Sequence, residues 1–230
     1  MRCALCFVLV GLAACSDDAG SGGGGGTTGP TGGAGGAGGA EEPPVVTELF
    51  PAAPPLPGET ECKVTITTNL PLEGHSHHEI CTDLSYGTNP PSSGDHWGTW
   101  AQFRTYATAV PREMYVHNLE HGGIVMAYKC SGLCPDILQA YEDAVDAHGI
   151  DPLCTISPVG AERSRFVITP DPELAEPIGL AAWRATYVAT CIDPPSILDF
   201  VNAHYAKGPE NTCSDGKDPE DPVNGITDCP

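Results

Sequence analysis

Short apolar runs and two longer amphipathic stretches alternate along the second half of the chain. KVTITTNL (63–70) switches between polar and apolar with a period of two, the signature of a half-buried strand. GIVMAYKC (123–130) and RFVITP (165–170) are β-rich runs of strand length, and IGLAAWRATYVATC (178–191) reads as one strand, buried first and exposed later. In PDILQAYEDAVDAHG (135–149), Ile137, Leu138, Tyr141 and Val145 share one helical face, and Gly149 is suited to cap the end. PPSILDFVNAHYAKG (194–208) repeats the pattern with Ile197, Leu198, Val201 and Tyr205, prolines in front and Gly208 behind. Pro111 permits a further helix to begin nearby, and Gly122-Gly123 give it a place to end. Strands and helices mingle without a regular βαβ rhythm. The expected class is therefore α+β, with a mainly antiparallel sheet and two or more helices.

The first sixty residues follow different rules. MRCALCFVLVGLAACSDD opens with one arginine and an apolar stretch too short to span a bilayer, as a secretory signal does. Its end, Leu12-Ala13-Ala14-Cys15, resembles the bacterial lipobox, which implies cleavage after residue 14 and lipid on Cys15. The Gly-rich run 19–40 has no side chains to bury, so it is expected to remain a coil with a reach of about 25 Å. A stiffer Pro-rich spacer follows over 41–59. The expected organisation is thus a signal peptide at 1–14, a lipidated tether at 15–60, one globular domain at 61–210 and an Asp-rich tail at 211–230. The expected location is the bacterial cell envelope, facing outward, with the membrane as partner through the Cys15 lipid.

Charge and cysteine usage sharpen this picture. Ten basic against thirty acidic residues give a net charge of -20, which argues against a nucleic-acid partner. Of 11 cysteines, Cys3 and Cys6 leave with the signal and Cys15 takes lipid. The eight that remain predict four disulfides in an exported chain. Cys213 and Cys229 bracket the polar tail and are the one pair the sequence suggests. Thiolate metal ligation by Cys130 and Cys134 is the alternative use of those two.

Six of the eight histidines fall between residues 75 and 121. In VHNLEHGG, His117 and His121 stand four apart. On a strand they would sit about 13 Å from each other; on a helical turn their Cβ atoms are about 6 Å apart, close enough to share one ion. Glu120 is then expected to point sideways, orienting a histidine through its second ring nitrogen or acting on a bound water. His96 lies in NPPSSGDHW, a loop stiffened by Pro90 and Pro91.

These segments resemble the bacterial domain-of-unknown-function family numbered 3105. YGTNPPSSGDHW, VHNLEHGGIVMAY, IGLAAWRATYVAT and DFVNAHYAKGPE carry the resemblance over about residues 75–210. It matches His78, Tyr86, Pro90, Pro91, Ser93, Gly94, His96, His117, Glu120, His121, Gly122, Trp183, Pro209 and Glu210. Ser92 replaces an expected threonine, and Arg184 stands where a glycine is expected. The resemblance implies site residues more than a reaction. It leads to a metal site of His78, His96, His117 and His121, supported by Glu120 and Tyr86. An all-nitrogen set suits zinc or copper(II), with Met114 or Met126 as soft ligands for copper(I).

Two other readings stand beside metal binding. His-x-x-Glu-His at 117–121 fits a zinc-hydrolase pattern with Glu120 as base, and a structural or interaction module needs no metal at all. In the tail, Asp215, Asp218, Asp221, Asn224 and Asp228 resemble a degenerate calcium loop; a solvated, disulfide-closed tail is the plainer alternative.

Overall fold

The computed structural model describes residues 42–132, 134–155, 164–223, 225, 226 and 229. The signal segment, Cys15, the Gly-rich run, Asn224 and Asp228 lie outside the described residues.

Six strands form one sheet in the order β1-β2-β8-β7-β5-β6. They are β1 (Val45–Leu49), β2 (Val64–Thr68), β5 (Ile124–Tyr128), β6 (Phe166–Pro170), β7 (Ile178–Ala182) and β8 (Ala185–Ala189). Every pairing is antiparallel except β5 with β6. Two short strands, β3 (His77–His78) and β4 (His96–Trp97), pair in parallel beside it. The helices are α1 (Arg112–Glu120), α2 (Pro135–His148), the single-turn α3 (Pro152–Thr155) and α4 (Pro194–His204). This is the mainly antiparallel α+β architecture expected.

The period-two pattern of the strands builds two cores. From β5, Ile124 and Met126 pack with α2 and α4 on one face, while Val125 and Ala127 join α1 and the aromatic loop 97–110 on the other. Burying each of Ile124, Val125 and Met126 contributes about 1.5–3 kcal/mol, and the methyl of Ala127 less.

Four details depart from the sequence reading. The run 178–191 is a hairpin rather than one strand. Ala182 faces Ala185 across a two-residue turn, and Arg184 adopts φ 61°. That left-handed conformation explains why a glycine is expected there. Residues 45–49, read as spacer, pair with β2 along their whole length, so the described fold begins well before Glu61. α4 stops at His204, not near Gly208, because Tyr205 turns extended and its hydroxyl donates to Asp151 Oδ2 at 2.8 Å.

The fourth departure concerns the disulfides. Four form among the described residues, but Cys213 does not pair with Cys229. The pairs are Cys62–Cys191, Cys81–Cys229, Cys130–Cys134 and Cys154–Cys213. The tail does not close on itself; it runs back along the 100–108 loop, bridging Ala101 to Lys217. Its two cysteines therefore reach different parts of the domain. Cys130 and Cys134 bond each other and are not free as thiolate ligands. Four disulfides indicate an oxidising, extracytoplasmic compartment. No described helix is long and apolar enough to cross a membrane.

Candidate metal centre

α1 is an internal helix: every residue from Met114 to Glu120 is buried. It thus carries three polar side chains into the interior, His117, Asn118 and Glu120, and each needs a partner. Asn118 finds one in the backbone of Ala101. It donates to the carbonyl at 2.7 Å and accepts from the N–H at 2.9 Å, pinning the loop after β4 to the helix. His117 Nδ1 donates to Trp97 O at 2.8 Å. Glu120 points its Oε2 at two imidazoles, His96 Nε2 at 3.0 Å and His77 Nε2 at 3.3 Å.

The short parallel pair β3/β4 supplies those imidazoles. His77 stands opposite His96 in register, and His96 N–H donates to Ser76 O while Gly98 N–H donates to His78 O. His96 is fully buried, and its Nδ1 donates to Gly94 O at 2.8 Å. Gly94 has φ 134°, and a Cβ there would meet the Tyr86 ring at 2.9 Å. The rings of His77, His96 and His117 lie within 4.6–4.9 Å of one another, centroid to centroid. One ligand atom each from His77, His96, His117 and Glu120 falls within a mutual 4.8 Å, so the group can hold a metal ion.

Tautomers follow from the acceptors. A carbonyl oxygen accepts and never donates, so Nδ1 of His96 and of His117 must carry hydrogen. In the neutral rings Nε2 is then a bare lone pair. His96 Nε2 therefore meets the Glu120 carboxylate as one acceptor against another, 3.0 Å apart in a buried site. A proton shared between the two atoms, or a metal ion bound by both, relieves that contact. Backbone carbonyls that fix ring and tautomer are also the outer partners that metal-ligating histidines use.

Burial holds the helix histidine neutral. Desolvation pulls His117 down to about 4, against the opposing Trp97 carbonyl bond, and neighbouring His121, His96 and His77 add to the fall. His121 is likewise drawn down to about 4 by burial, then by His96, His77 and Arg165.

The expected ligands divide. His96 and His117 join the cluster. His78 does not: its Nε2 lies 3.1 Å from Asp95 Oδ2, on the opposite side of β3 from His77. Successive residues of a strand face opposite ways, so only one of the two can serve the site. His121 contacts the His117 ring at 4.6 Å, yet its Nε2 lies 3.3 Å from Glu210 Oε2, outside the group of four. The helix ends at Glu120, and residues three apart on a helix are also neighbours. Glu120 thereby takes the place expected of His121 and is a ligand-position residue instead of an outer one. Tyr86 stands back from the cluster, its hydroxyl donating to Asp95 O at 2.9 Å. Met114 and Met126 are core residues on opposite faces of the sheet and are not in the group.

Sequence reasoning overlooked His77, Asp95 and Asn118. Asp95 accepts from Ser76 N–H at 2.9 Å and approaches His78, which fixes β3 against β4. Those bonds hold its carboxyl below the usual range. The signal available was alternation. If His96 faces inward, Asp95 and Trp97 face away, so one of His77 and His78 must share the His96 side. The register, His77 opposite His96 and His78 opposite Trp97, decides which.

This arrangement bears on the hydrolase pattern. His-x-x-Glu-His chemistry needs both histidines on the metal and the glutamate free as base; here Glu120 sits among the ligand atoms and His121 outside them. The calcium expectation finds no support either. Asp218 Oδ1 accepts from Arg104 at 2.6 Å and from Glu220 N–H at 2.9 Å, so an arginine already occupies its front. Asp221 Oδ1 accepts from Val223 N–H at 2.8 Å.

Compared with protein families, residues 77–216 match the family described as "Protein of unknown function (DUF3105)". No curated protein and no solved structure matches the chain.

Proposed function

The chain belongs to the DUF3105 family, whose description assigns no reaction, and from the geometry of its site we propose that it is an exported, lipid-anchored protein that binds one transition-metal ion, zinc or copper(II), through His77, His96, His117 and Glu120. The observation that carries this reading is the pair of opposed acceptors, His96 Nε2 and Glu120 Oε2, with two further imidazoles converging on the same spot. A single proton relieves one such contact. A metal ion satisfies all four groups at once.

Three imidazoles and a carboxylate form a borderline set that suits zinc or copper(II) better than copper(I), which favours sulfur. No described sulfur competes, since the eight described cysteines are paired with one another. Anchoring through Cys15 rests on the lipobox-like end of the signal segment, and export accords with the disulfides. The role is binding or handling of the ion, not chemistry upon a substrate.

The test is elemental analysis of the protein secreted through an oxidising compartment. Near-stoichiometric zinc or copper, lost in His96→Ala and His117→Ala but kept in His78→Ala, supports the reading. A protein that takes up neither metal when both are offered overturns it.

A further inference from the structure

The four groups at the centre are not held alike. His96 and His117 are buried, each pinned through Nδ1 to a backbone carbonyl, and Glu120 is nearly as enclosed. His77 differs on every count. Its side chain is 51% exposed. It sits on a strand two residues long. Among the described residues, its Nδ1 has no carbonyl partner of the kind the other two rings use. The loop before it turns at Gly74, φ 112°, and His75 beside it is exposed as well.

We infer that His77 is the exchangeable ligand of this centre, and that the ion enters and leaves by ligand exchange at the face bearing His75 and His77. The inference rests on the metal reading above and adds to it the site's kinetic character: an exchange site rather than a sealed structural one.

The geometry supports the division of labour. Tetrahedral ligands at about 2.0–2.1 Å from zinc lie about 3.4 Å from one another, whereas this group spans up to 4.8 Å. Some ligand must close in when the ion binds and draw back when it goes. His117 and Glu120 sit on the stretch of α1 buried from Met114 onward. Moving His117 breaks its bond to Trp97 O, and moving His96 breaks its bond to Gly94 O. His77 can swing about its own side-chain bonds while the β3/β4 backbone bonds, His96 N–H to Ser76 O and Gly98 N–H to His78 O, keep the strand in place. An incoming nitrogen or sulfur donor then meets the ion where His77 has left it. No bond other than metal–ligand bonds forms or breaks, and the ion's charge passes with it to the acceptor. His75, exposed two residues earlier in the chain, offers a second imidazole to the ion in transit.

The experiment is stopped-flow transfer of zinc from the full exported protein to a chromogenic pyridylazo chelator, across a range of chelator concentrations. The expected result is a release rate that rises in proportion to chelator, because the chelator attacks an accessible ion. In His77→Ala, folded by circular dichroism, the protein still takes up zinc but releases it at least about tenfold faster, since losing even an outer partner costs about 10–100-fold. His78→Ala releases at the wild-type rate. A release rate independent of chelator, limited by opening of the protein and unchanged in His77→Ala, overturns the inference while leaving the metal site intact. A wild-type protein that takes up no zinc overturns the metal reading itself, a separate outcome seen before any mixing.

Discussion

His77 and His78 are consecutive residues with opposite partners: one ring nitrogen lies 3.3 Å from Glu120 and the other 3.1 Å from Asp95. One faces the buried centre and the other an exposed carboxylate, although both belong to the same two-residue strand. Their replacements should therefore separate. His77→Ala is expected to lower zinc affinity at least about tenfold. His78→Ala is expected to leave affinity unchanged and to cost at most about 1 kcal/mol of stability, as exposed ion pairs do. Isothermal titration with zinc measures the first effect and urea unfolding the second. Equal losses of affinity in both variants would remove the distinction between the two faces.

Glu120→Gln probes the opposed acceptors. The amide donates where the carboxylate cannot, so in metal-free protein it gives His96 or His77 Nε2 a hydrogen. Metal-free Glu120→Gln is expected to be as stable as wild type, or more stable by up to about 1.5 kcal/mol. The same variant loses the anionic ligand, and the rise in melting temperature on adding zinc should shrink or vanish. A variant less stable without metal and unimpaired with it would show that the carboxylate serves a proton and not an ion.

Acid should weaken the metal-free fold. Unfolded imidazoles bind protons near pH 6.5, while folded His117 and His121 do so only near about 4. Between those values the unfolded state holds more protons, so stability falls as pH drops from about 6.5 to about 4 and levels off below. The urea midpoint of metal-free protein, followed across that window, checks this. His121→Gln should flatten the slope. An identical slope in that variant would contradict the assignment.

The four disulfides are expected to contribute unequally. Loop-closure entropy assigns about 5 kcal/mol to a bridge closing a loop the size of that between Cys62 and Cys191, and about 2 kcal/mol to the Cys130–Cys134 bridge. The sequence separations are 129 and 4. Cys130 is exposed, whereas Cys62 and Cys191 are buried. Mild reductant should therefore open Cys130–Cys134 first with little change in melting temperature. Replacing Cys62 and Cys191 by serine should cost most. Mass spectrometry of alkylated thiols gives the order of opening, and the reverse order would contradict it.

Much of the framework was legible from pattern alone. β5 and β6 were plain apolar runs, and α2 showed both its apolar face and its Gly149 cap. The β7–β8 turn stayed hidden because Trp183-Arg184 has no residue that marks a turn, yet Arg184 accepts a positive φ. β1 was masked by the prolines around Val45 and Val46. At the centre, helical spacing identified His117, but it favoured His121 over Glu120 because residues three and four apart on a helix are both neighbours. Where the helix stops decides between them, and that depends on how the chain leaves through Gly122, at φ 78°, with Arg165 donating to His121 O. His77 and His78 could be told apart only once the β3/β4 register was known.

The central claim is a metal bound by imidazole and carboxylate alone, and X-ray absorption of the zinc- or copper-loaded protein tests it most directly. A coordination shell made only of nitrogen and oxygen, at about 2.0–2.1 Å for zinc, with imidazole outer-shell scattering that diminishes in His117→Ala, is the predicted result. A sulfur shell at about 2.3 Å, or a spectrum unchanged by that substitution, would contradict it.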